Sequence, residues 1–64
     1  MSNLKDKRQA AGLSQAQLAE KSGVSIRMIQ YYEQGAKDIN KAALETGIAL
    51  SEVLGCDPKD LLEK

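Results

Sequence analysis

Histidine, phenylalanine and tryptophan are missing from this 64-residue sequence, and cysteine and proline occur once each. A lone Cys56 excludes an internal disulfide, and without histidine no multidentate zinc or iron–sulfur site, nor any other cofactor, is expected. That cysteine usage fits a reducing cytosol. There is also no Cys–His or Ser–His pairing, no glycine-rich phosphate loop and no cluster of metal ligands, so the residues point away from catalysis. No stretch approaches the roughly 20 apolar residues of a membrane span, and residues 1–6 lack the apolar core of a signal peptide. The expectation is a soluble, cytoplasmic, non-enzymatic protein.

What is present is an apolar content of 42%, carried largely by alanine and leucine. A chain this short forms one domain, residues 1–64, and buries only about 60% of the surface its unfolded form exposes. Capped helices joined by short loops suit that narrow margin, so an all-α domain is expected.

Residues 14–35 organise the rest. Ser14 with Gln17 three positions later is a capping-box pattern, and Leu18 and Ala19 supply an apolar face. Gly23 can take the left-handed backbone that ends a helix. Ser25 can cap a second helix, whose apolar positions Ile29 and Tyr32 share a face before Gly35 closes it. Two short helices joined by a glycine-containing turn form a helix-turn-helix. With Ile29 and Tyr32 inward, the opposite face of the third helix presents Ile26, Arg27, Gln30, Tyr31 and Gln34.

Around this unit the spacing predicts a first helix capped by Asn3 and running to Gly12, with Leu4, Lys7, Arg8 and Ala11 on one face. A fourth helix is expected over residues 42–54, with Leu44, Ile48, Ser51 and Leu54 on its apolar stripe and Gly55 at its end. Gly47 falls on that stripe, and the sequence offers no account of it. Asp57 and Pro58 announce a last short helix docked through Leu61 and Leu62. Cys56 reads as a small packing residue. Net charge is zero, but residues 1–41 carry seven positive and four negative side chains while residues 42–64 carry two and five. One end can thus present a basic face.

The ordered set Gln15, Leu18-Ala19, Gly23-Val24-Ser25, Ile29, Tyr32-Glu33, Gly35 resembles the DNA-binding domain of lambda-repressor-like regulators, the Cro and xenobiotic-response-element type. The resemblance covers nearly the whole chain and implies a compact bundle of about five short helices. It further implies a small prokaryotic or phage-type transcriptional regulator that binds specific double-stranded DNA with its third helix in the major groove. Ile26, Arg27, Gln30 and Tyr31 would then read bases: Arg27 suits guanine, Gln30 adenine and Ile26 a thymine methyl. Gln15, Ser25, Gln34, Lys37 and Lys41 would hold the phosphate backbone, Gln15 from the first turn of its helix. By the same resemblance Arg8 pairs with Glu33, and the chain works as a homodimer on a near-palindromic operator through its last helix and the loop before helix four. The loop after Gly35, or the helix beyond it, is about three residues longer than the commonest family spacing, and Gly47 stands where the family usually has a large apolar residue. An antitoxin-like module that mainly binds another protein stays open as the alternative, because zero net charge is compatible with it.

Overall fold

The computed structural model describes residues 2–63. Four α-helices, α1 (Asn3–Ala10), α2 (Gln15–Ser22), α3 (Ile26–Gln34) and α4 (Leu44–Leu54), are joined with two 3-10 turns, Ile39–Lys41 and Pro58–Leu61, and no strand occurs among the described residues. The expected last helix is thus a 3-10 turn.

Local caps set most of these boundaries. The Ser14 hydroxyl accepts from the Gln17 N–H, and the Gln17 side chain accepts from the Ser14 N–H, which satisfies two donors that the start of α2 would leave free. At the other end Gly23 has φ 75° and closes α2 through its N–H to the Ala19 carbonyl. Helix α1 differs from expectation at both ends. Ser2 is its cap, accepting from the Lys5 N–H, because Asn3 is engaged elsewhere: its N–H donates to Oε1 of Glu63 and its Nδ2 to the Leu62 carbonyl, both at 2.7 Å. The helix stops at Ala10, since the Gly12 and Leu13 amides turn back to the carbonyls of Gln9 and Arg8. Asn40 completes a clasp on the other side of Glu63. Its Nδ2 donates to the Glu63 carbonyl and its Oδ1 accepts from the Glu63 N–H at 2.7 Å, so a side-chain amide pairs with the backbone as a neighbouring strand would.

Every element contributes to one core of Leu4, Leu18, Ile29, Tyr32, Ile39, Leu50 and Leu61. Each fully buried leucine or isoleucine contributes about 1.5–3 kcal/mol, a large share of the stability open to a chain of this size. The stripe expected on α4 holds at its C-terminal half, where Ser51 is buried and Leu54 packs against the core, and fails at the other: Leu50 takes the inward place, whereas Leu44 is 76% exposed and Ile48 40% exposed. Helix α4 is apolar around much of its circumference, so periodicity alone does not choose the inward side; packing against α2 and the Pro58–Leu61 turn does. Leu61 is buried as expected, but its neighbour Leu62 points outward, 48% exposed.

Candidate nucleic-acid interface

Helix α3 owes its presented face to its cap and its two anchors. The Ser25 hydroxyl accepts from the amides of Arg27 and Met28 at 3.1 and 3.4 Å, leaving the hydroxyl proton free to donate outward. Ile29 and Tyr32 are locked in the core, and Met28 packs against it from the side. The outer face then carries Ile26 and Arg27, both exposed, and Gln30 and Tyr31, both half-buried, with Gln34 exposed at the helix end. Beyond Gly35 the chain folds back, and the amides of Ala36 and Lys37 both donate to the Tyr31 carbonyl. Lys37 and Lys41 stand exposed on this returning segment.

Beneath this face lies a polar network. Arg8 meets Glu33 in a two-pronged pair, Nε to Oε2 at 2.8 Å and Nη2 to Oε1 at 3.0 Å, and its Nη1 donates to the Leu13 carbonyl at 2.8 Å. Both side chains are shielded, 11% and 3% exposed. Hydrogen bonding to Glu33 outweighs the cost of burial and holds the Arg8 guanidinium above its ordinary pKa, so the positive charge persists at every accessible pH. Gln15 Nε2 donates to Oε1 of the same carboxylate at 3.1 Å, and Gln15 Oε1 lies 3.5 Å from Gln30 Nε2. The order of donors follows from Glu33, which only accepts: it turns the Gln15 amide nitrogen inward and the Gln15 oxygen toward Gln30.

Of the residues singled out in the sequence, Arg8, Gln15, Gln30 and Glu33 thus converge, joining α1, α2 and α3. Ser25, Ile26, Arg27 and Tyr31 lie on the same outward side of α3, while Gln34 ends that helix and Lys37 and Lys41 stand exposed on the segment beyond it. Sequence reasoning missed that Gln15 and Gln30 belong to the Arg8–Glu33 network, and it missed the Asn3–Glu63–Asn40 clasp. Nothing in local spacing marks either. Among the described residues no three potential metal ligands come together, and no helix is long and apolar enough to cross a membrane.

A short α2 and an α3 with its outer face free, tied by one buried ion pair to α1, define a helix-turn-helix protein. The chain matches the helix-turn-helix family model over residues 4–61 and belongs to that family, in its lambda-repressor-like form. This is a family of DNA-binding regulators of transcription. No curated protein and no solved structure gives a significant match to the chain.

Proposed function

We propose that this chain binds specific duplex DNA in the cytoplasm as a small prokaryotic or phage-type regulator, laying α3 in the major groove. The observation that carries the reading is the polar outer face of α3, with Gln30 held from below by the chain Arg8–Glu33–Gln15. In that bonding direction Gln30 keeps its oxygen and one N–H for a base edge, the acceptor–donor pair that adenine N6 and N7 require. Arg27, beside the capped start of α3, is placed for guanine, and Ile26 and Tyr31 complete the contact. Ser25 and the backbone N–H of Gln15 at two helix starts, with Gln34, Lys37 and Lys41 at the far end, bracket the groove and hold phosphates. A single module of this size buries too little for tight selection, so the working unit is a homodimer on a near-palindromic operator, its half-sites about 10 base pairs apart.

Selection from random duplex oligonucleotides with the purified protein tests this directly. The expected outcome is a two-half-site consensus whose footprint is saturated by two copies. Enrichment of no sequence over the starting pool would sink the proposal and leave the antitoxin-like, protein-binding reading in its place.

A further inference from the structure

Between Gly35 and Leu44 the chain turns back from α3 toward α4, over a stretch where Ile39 alone is buried and Ala42 alone half-buried. Packing does little to hold it. An open cleft of about 360 Å³ runs between the first part of this segment and the side chains of Ser2 and Glu63, and a second of about 430 Å³ separates Lys37 and Lys41 from Met28 and Thr46. Polar bonds take over. The Asp38 carboxylate accepts from the Asn40 N–H at 2.9 Å and starts the 3-10 turn, while the Asn40 side chain leaves the turn and pairs in both directions with the Glu63 backbone. Glu63 is held in its turn by Asn3 at the start of α1, and α1 is bound to α3 through Arg8 and Glu33. The circuit closes. One end of the segment is fixed to α3 directly, through the amides of Ala36 and Lys37, and the other through Asn40, Glu63 and α1.

We propose that Asn40 is a positioning residue for the DNA backbone: through Glu63 it holds the segment that carries Lys37 and Lys41 in one place beside the end of α3, ready for phosphates. The proposal rests on the DNA-binding reading and adds to it a residue that itself touches no DNA. Asparagine suits the task because its amide offers one acceptor and one donor side by side, which match a peptide N–H and C=O. An aspartate would set a charge against the Glu63 carbonyl, and an aliphatic residue would bond neither group. A segment already fixed spends less conformational entropy when its lysines settle on phosphates, so the clasp raises affinity without adding a contact. A clasp that only tied down the chain end would change the melting temperature and leave each lysine's contribution to binding as it was.

Affinities for the selected duplex at several salt concentrations, on wild type, Asn40→Ala, Lys41→Ala and the double variant, test the proposal, with amide hydrogen exchange at Glu63 to report on the clasp. Asn40→Ala should bind about tenfold more weakly, with a salt slope shallower by about one, although it removes no charge. Coupling is the decisive readout. Lys41→Ala should cost clearly less in the Asn40→Ala background than in wild type, because the lysine is no longer held in place. The Glu63 amide should exchange faster in Asn40→Ala while core amides stay protected. Equal losses from Lys41→Ala in both backgrounds overturn the proposal, as does a Glu63 amide that exchanges equally fast in wild type and Asn40→Ala. If Asn40→Ala fails to fold, Asn3→Ala replaces it, since that change frees the Leu62 carbonyl beside Glu63 while Ser2 still caps α1; an unchanged salt slope there overturns the proposal equally. Wild type that binds no duplex removes the DNA-binding reading and this proposal with it, whereas failure of the proposal alone leaves wild-type binding intact.

Discussion

Gln15 donates to the very oxygen of Glu33 that accepts from Arg8 Nη2, at 3.1 and 3.0 Å respectively. One carboxylate oxygen thereby fixes both the packing of α1 against α3 and the orientation of the first side chain of α2. Structural and functional demands meet on a single group, and the two can be separated by mutation.

Stability follows the ion pair. Removing either Arg8 or Glu33 leaves its partner buried and unsatisfied, and Arg8→Ala or Glu33→Ala should each cost about 3–5 kcal/mol. The double variant should lose clearly less than the sum, which denaturant titration of the four proteins in a double-mutant cycle will show. Additive losses would mean that the pair contributes no coupling. Because the arginine stays charged at all accessible pH, its own titration should add nothing to the pH dependence of folding.

Base reading and backbone holding should respond differently to charge removal. Arg27→Ala should lose about 1–3 kcal/mol on the selected site and relax the preference at one base pair. Lys37→Ala should weaken all sequences alike and make the salt slope shallower by about one. Both side chains are exposed, so neither variant should lose its fold. Affinities for the selected and a scrambled duplex at several salt concentrations measure both effects. An Arg27→Ala protein with unchanged base preference would remove Arg27 from the reading face.

Cys56 gives the fold a pH dependence of its own. Burial is the main cause, with the nearby Asp60 charge second, of a thiol pKa raised above its ordinary 9.0. A raised pKa means that the folded state favours the neutral thiol more than the unfolded chain does. The resulting stabilisation is complete below pH 9.0 and is lost as pH rises through the folded value. Relative to Cys56→Ala, wild type should therefore hold a constant difference in melting temperature up to mildly alkaline pH and fall behind above it. Alkylation of the native thiol at neutral pH should be slow and should accelerate on unfolding. A pH-independent difference between the two proteins would show that the thiol ionises equally in both states.

How much of this was legible depends on where each residue finds its partner. The Ser14–Gln17 box, Ser25 and the glycines at 23, 35 and 55 act within one helical turn, so short spacings reveal them. Burial of Ile29 and Tyr32 follows from a two-faced α3. Helix α4 hides its phase because Leu44, Ile48, Leu50, Val53 and Leu54 surround it, and only its packing against α2 and the Pro58–Leu61 turn decides which of them goes inside. Asn3 shows the limit most plainly: it looks like a cap, and Ser2 takes the role because Leu62 and Glu63, some sixty residues away, occupy Asn3. The link from Gln15 to Glu33 and Gln30 likewise spans 18 and 15 positions, beyond any helical or strand period. Such contacts exist only once the tertiary structure has formed.

The clasp of Asn3 and Asn40 on Glu63 brings the two ends of the described chain side by side. Joining them covalently would need a linker of only a few residues, and so short a bridge adds little loop-closure entropy to the folded state while restricting the unfolded one. The fold is therefore suited to being cyclised, or reopened at the exposed segment near Gly35–Lys37, with each core contact retained. In such a permuted chain α4 would precede α1 in sequence, and the face that α3 presents would remain where it is.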